Sequence, residues 1–163
     1  MNIQQFLTDR GVEFEMIRHR DTYSAQRMAQ ELHVPGRDVA KTVLLRANHG
    51  YRYLVAVLPA TRRIDLELAA KAVGGGHAEL ATEIEVAERF PDCEFGALPP
   101  FGSQYGLLTL VDASLADEES IVFEGNTHGE SIRMRFDDFR KIEEPLIVEF
   151  TSQAEKAISG RAS

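Results

Sequence analysis

The chain has 163 residues, 44% of them hydrophobic and 27% charged, with a net charge of −8. That is enough for one domain with a sizeable core, and the acidic balance argues against a general nucleic-acid binder, whose affinity is mostly electrostatic. No apolar run approaches the length of a membrane span. The opening Met1-Asn2-Ile3-Gln4-Gln5 shows no export signal, and a lone Cys93 allows no internal disulfide, so a cytoplasmic location is expected.

Taken in order, Ile3, Phe6 and Leu7 have helical spacing, and Gly11 marks a stop. Val12, Phe14 and Met16 alternate with Glu13 and Glu15 as a strand would. Thr22 or Ser24 can cap a helix carrying Ala25, Met28, Ala29 and Leu32, which ends at Pro35-Gly36. Val39 to Ala47 reads as a strand, Asn48-His49-Gly50 as a hairpin turn, and Tyr51 to Leu58 as the central return strand. Asp65 caps a short helix that Gly74-Gly75-Gly76 ends, and Thr82 with Glu85 forms a capping box for a helix running to Phe90. Leu107 to Val111, Ile121 to Phe123, the alternating Ile132, Met134 and Phe136, and Leu146 to Phe150 are the remaining strands; Asp137 caps a brief helical turn.

Hairpins mixed with helices, without a repeated βαβ period, predict an α/β fold. The sheet should be mixed and largely antiparallel, with flanking helices. We expect a single compact domain over residues 1–150 and a polar, weakly helical tail over residues 151–163.

The chemistry is narrowed first by what the chain lacks. The five histidines are scattered without zinc spacing, and there is no P-loop, no G-x-G-x-x-G and no G-x-S-x-G elbow. No metal or cofactor is called for. Three features remain. Phe95-Gly96-Ala97-Leu98-Pro99-Pro100-Phe101-Gly102 packs two glycines and two prolines into eight residues. It reads either as an ordinary turn or as a stiff backbone cradle that a ligand can approach closely at Gly96. Lys41 opens an apolar strand, where a lysine either snorkels or holds an anionic oxygen in a pocket. His128 lies in the glycine-bounded turn Gly125-Asn126-Thr127-His128-Gly129, exposed or facing a ligand.

Ala40-Lys41-Thr42-Val43-Leu44-Leu45, the Ile64–Gly74 segment, Gly96-Ala97-Leu98-Pro99-Pro100 and Gly125-Asn126-Thr127-His128-Gly129 follow one another in an order that resembles the YbaK/ProX family. Its members are trans-editing aminoacyl-tRNA deacylases, similar to the editing insertion of bacterial prolyl-tRNA synthetases. The resemblance runs from the first helix to Phe150. It implies a partly barrel-like sheet and hydrolysis, in trans, of the ester bond of a tRNA charged with a wrong, small amino acid. It gives Lys41 a contact to the tRNA 3′ end and a need in activity. Gly96 and Pro100 become the loop whose backbone orients the ester carbonyl and terminal ribose, and His128 becomes a third catalytic position. Thr22, Tyr23, Ala97, Leu98, Phe101 and Asn126 are the expected substrate-binding residues. The doubled proline resembles a subgroup with Gly-Ala-Ile-Pro-Pro, so cysteine or alanine selectivity does not transfer.

The expected partners are the tRNA acceptor end and, as a second, an aminoacyl-tRNA synthetase. The alternative is a non-catalytic module that binds tRNA or a synthetase. The charge distribution fits an end-on tRNA contact. Residues 1–63 carry ten Lys/Arg against six Asp/Glu, while residues 64–163 carry eight against twenty. Arg18, Arg20, Lys41, Arg62 and Arg63 are thus candidates for acceptor-stem phosphates.

Overall fold

The computed structural model describes residues 1–47 and 52–153; the Asn48-His49-Gly50 turn and residues 154–163 lie outside the described residues. The elements are α1 (Ile3–Asp9), β1 (Glu15–Arg18), α2 (Ala25–Leu32), β2 (Ala40–Ala47), β3 (Arg52–Pro59), β4 (Arg62–Ile64), α3 (Leu66–Ala72), β5 (Ala78–Leu80), α4 (Glu83–Arg89), β6 (Leu108–Asp112), β7 (Ser120–Glu124), β8 (Glu130–Arg135), α5 (Phe136–Glu143), β9 (Leu146–Val148) and β10 (Thr151–Gln153).

The strands form a five-stranded sheet ordered β5-β2-β3-β6-β9, a three-stranded sheet ordered β1-β8-β7, and the pair β10-β4. Pairing is antiparallel except for β3 with β6 and β6 with β9, so the sheet system is mixed and mostly antiparallel as expected. The two larger sheets touch through one parallel bridge, Val39 with Val122. The sheets do not close into a barrel among the described residues. No helix of the described residues is long and apolar enough to cross a membrane.

Caps set the helix starts. Ser24, not Thr22, caps α2 by accepting from the Arg27 N–H at 3.1 Å. Asp65 caps α3, and the Thr82–Glu85 capping box opens α4. Several boundaries differ from the sequence reading: β1 begins at Glu15 rather than Val12, β9 ends at Val148 rather than Phe150, and α5 is entered from Arg135 instead of being capped by Asp137. Phe136 opens α5 rather than closing a strand, because its N–H turns to the Glu119 carbonyl at 3.0 Å and Asp137 and Asp138 favour a helical first turn. Thr151–Gln153 pair with β4 as a strand instead of starting a helical tail.

The main core lies between the two larger sheets. Phe101 is fully buried at its centre, with Phe6, Phe123 and Phe139 packed edge-on at 5.2, 5.7 and 5.3 Å between ring centroids. The turn after the cradle is fixed to this core by Glu143. Its carboxylate accepts from the Ser103 N–H at 3.0 Å and from the Thr109 hydroxyl at 2.5 Å; Thr109 in turn accepts from the Gly102 N–H at 2.9 Å.

Candidate active site

Three segments converge at the seam between the sheets. β2 starts next to the Val39–Val122 bridge, which puts Lys41 second in the strand. β7 ends on Glu124 and runs into the turn that holds His128. The Phe95–Phe101 cradle lies against that turn. Glu94 ties the two together: its N–H donates to the Asn126 carbonyl at 2.9 Å, and its Oε1 accepts from the His128 N–H at 2.7 Å.

The result is a cavity of about 300 Å³ lined by Lys41, Gly96, Leu98, Glu124, Tyr23 and Met28, with the first turn of α2 as a further wall. Lys41 is half-buried and, among the described residues, makes no ion pair or hydrogen bond. Burial pulls its ammonium pKa down from the ordinary lysine value. Gly96 holds φ at +85°, a conformation side chains disfavour, and a Cβ there would sit 3.4 Å from the His128 ring. A second hollow of about 640 Å³ adjoins, lined in part by Arg20, Thr22, Tyr23 and Arg27.

His128 is buried and both its ring nitrogens are engaged. Nε2 lies 2.6 Å from the Phe95 carbonyl oxygen, which can only accept, so Nε2 carries a proton. Nδ1 lies 2.8 Å from Glu124 Oε2, within ion-pair distance but off hydrogen-bond geometry, so neither buried atom has a hydrogen-bond partner among the described residues. As a bare lone pair against a bare carboxylate the two would repel, so one of the two groups carries a proton and they titrate together. Burial pushes the Glu124 carboxyl up to about 7, against the pull of His128. His128 is raised as well: its burial works the other way but is outweighed by the Phe95 carbonyl and the Glu124 carboxylate.

The family model for the aminoacyl-tRNA editing domain matches residues 19–142. The chain belongs to the aminoacyl-tRNA editing domain family. This is the family that the ordered motifs resemble. Over 151 residues the editing domain is 26% identical to the multifunctional Ser/Thr-tRNA deacylase ProXp-y of Escherichia coli K12, covering 91% of this chain and 90% of the relative. Its fold matches that of the hypothetical protein APE2540, with a TM-score of 0.84 at 17% identity over 93% of this chain and all of the other. It also matches a proposed trans-editing enzyme for prolyl tRNA synthetase, with a TM-score of 0.81 at 21% identity over 93% and 95% of the two chains.

Within this editing domain, Lys41, Gly96, Leu98 and Tyr23 line the cavity, and His128 stands directly behind Glu124. Tyr23 is 74% exposed, its ring 4.7 Å from the His128 ring, and Phe95 on the cradle is 57% exposed. Thr22 lines the second hollow. Other residues do not reach the cavity. Ala97 and Phe101 are fully buried, Phe101 at the centre of the aromatic core. Pro100 is buried with them. Asn126 turns the other way: its side chain accepts from the Ile3 N–H at 3.3 Å and donates to the Met1 carbonyl at 3.1 Å. Arg62 is committed internally, to Thr151 at 2.5 Å and Asp112 at 3.8 Å, whereas Arg18, Arg20 and Arg63 remain on the surface.

The residue that sequence reasoning missed is Glu124. A glutamate ending a strand looks like an edge charge, and only the pairing of β7 with β8 and the turn that follows reveal its place. The usable signal was its position four residues before His128 across a glycine-bounded turn.

Proposed function

We propose that this editing domain hydrolyses the ester bond of a mischarged aminoacyl-tRNA in trans, releasing a small amino acid. The observation that carries the reading is the meeting of the Lys41 side chain and the Gly96 backbone on one cavity at the sheet seam. An aminoacyl ester is already activated, so the protein need supply only orientation, charge for the developing oxyanion and a placed water. The half-buried Lys41 ammonium, free of a carboxylate partner among the described residues, supplies the charge. The cradle at Gly96 lets the terminal ribose approach the main chain.

At about 300 Å³ the cavity is at the small end for ligand sites, which suits a short side chain and the sugar it is esterified to. Thr42 lines it, and its buried Oγ1 lacks a hydrogen-bond partner among the described residues. A hydroxyl on the substrate would satisfy that group, so serine or threonine should be released in preference to 2-aminobutyrate. The relative's name gives the same two amino acids. The exposed rings of Tyr23 and Phe95 offer stacking faces for the terminal bases, and Arg18, Arg20 and Arg63 are on the surface for phosphates. A synthetase that hands over the mischarged tRNA is a further proposed partner.

The test is a deacylation panel with purified protein and tRNAs carrying alanine, serine, threonine, cysteine or 2-aminobutyrate. Release of at least one, abolished by Lys41→Ala, is expected. Tight tRNA binding without release from any member would overturn the reading in favour of a binding module.

A further inference from the structure

We propose that Glu124 is the general base of this hydrolysis, with His128 as its positioning residue. The inference rests on the deacylase reading above and adds the group that activates the water. His128 would be the ordinary choice of base, but its Nε2 is hydrogen-bonded to the Phe95 carbonyl at 2.6 Å and its Nδ1 faces Glu124 Oε2 at 2.8 Å rather than the cavity. No ring nitrogen is left to face an ester. Lys41 is a cation and cannot serve as base until it loses its proton. Glu124 lines the cavity itself, alongside Lys41 and Gly96. Of the groups on that wall, it alone is a carboxylate.

The pair also solves a problem of charge. A buried carboxylate alone would hold its proton and be a poor base at neutral pH. With the imidazolium behind it, the carboxylate is retained at a cost spread over both groups, and the pair titrates as a unit. The carboxyl, pushed up to about 7, is then poised for proton transfer near neutrality. The other groups that face the pair are Lys41 on the same cavity and Glu94, which accepts from the His128 N–H at 2.7 Å. Tyr23 stacks on the imidazole with Asp21 at its hydroxyl, 3.2 Å away, and on β8 the partner of Glu124 is Ser131, bonded to His19 at 2.7 Å.

The water oxygen bonds to the ester carbonyl carbon, its proton passes to Glu124, and the carbonyl electron pair moves onto the oxygen beside Lys41. Collapse breaks the bond from that carbon to the ribose oxygen, and Glu124 returns the proton to that oxygen. The products are a free amino acid and a tRNA with its hydroxyl restored.

The decisive variant is Glu124→Gln, whose amide has the same shape and can donate to His128 Nδ1. Steady-state deacylation is measured from pH 5.5 to 8.5, with spontaneous hydrolysis subtracted. Wild type should show kcat rising with pH through neutrality, because the reactive form is the pair that has lost one proton. Glu124→Gln should lose about 10²- to 10⁴-fold in kcat, keep its KM, and show no rising limb. His128→Gln should shift the limb rather than remove it. In parallel, the His128 ring proton is followed by NMR: in wild type it should titrate together with Glu124, and in Glu124→Gln alone and at lower pH. Full activity with an unchanged pH limb in Glu124→Gln, while Lys41→Ala is inactive, would overturn the base and leave the deacylase reading standing. A His128 titration identical in wild type and Glu124→Gln would overturn it too. A wild type inert on every substrate would overturn both.

Discussion

Replacing Lys41 with methionine separates chemistry from stability. Methionine keeps an unbranched stem of similar length on β2, opposite Leu58, and removes only the ammonium. That ammonium is half-buried and has no hydrogen bond or ion pair among the described residues, and burial lowers its pKa. It is therefore a charge the fold tolerates rather than uses. Loss of one charge-stabilising donor at a developing oxyanion costs about 10²- to 10³-fold in kcat, or about 3–4 kcal/mol of transition-state stabilisation. Stability should move the other way, since an apolar side chain is cheaper to hold there than an unpaired cation. The assay pairs single-turnover release of amino acid with urea unfolding of the same preparation. Activity within threefold of wild type would refute the role of Lys41. A lower unfolding midpoint would refute the premise that the fold makes no use of its charge.

Three further perturbations test the framework of the site. Gly102→Ala places a Cβ 2.6 Å from Thr109 Oγ1 and 3.0 Å from the Leu107 carbonyl oxygen, and should cost about 1–3 kcal/mol in urea unfolding; a neutral outcome would mean that the Glu143 network yields freely. Phe101→Ala removes the hub of the aromatic core and should cost about 3–5 kcal/mol, read as a fall in Tm; a loss under 1 kcal/mol would place Phe101 outside the core. Stability should also fall as pH rises. The folded-state pKa of Glu124 is raised from 4.5 to about 7, so the native state binds the extra proton and its advantage, complete below pH 4.5, is lost through pH 7. His128, raised above its ordinary 6.5, loses stability in the same direction at higher pH. Between pH 5 and 8 the loss has an upper bound of about 3 kcal/mol for Glu124, and Glu124→Gln should flatten the profile. An unchanged slope in that variant would refute the assignment.

The parts of this fold that were legible have strong local signals. β2 and β3 read as long apolar strands, α3 and α4 announce themselves by Asp65 and by Thr82 with Glu85, and Ser24 stood among the named caps. β4, β5 and β10 are three residues each, too short for any period to show, and exist because longer neighbours offer them an edge. At the site, Lys41 and Gly96 could be singled out because a strand-opening lysine and a glycine beside a proline pair are unusual in themselves. Whether Phe101 was rim or core depended on the direction of its side chain, which composition does not encode. Glu124 and Asn126 are both polar residues of one turn, yet one faces the cavity and the other secures the N-terminal helix. Asn126 lies beyond the β7–β8 pairing at φ +76°, so the alternation of the strand does not reach it.

The wall supplied by the first turn of α2 belongs to neither sheet, whereas Lys41 and Glu124 sit on separate sheets joined at Val39 and Val122. Part of the cavity wall is thus carried on a stretch of chain separate from Lys41 and Glu124. Ala25 packs on the Val39–Val122 cluster that joins the sheets, whereas Gln26 is exposed, which makes Gln26 the natural position to randomise when selecting variants that accept a bulkier cargo.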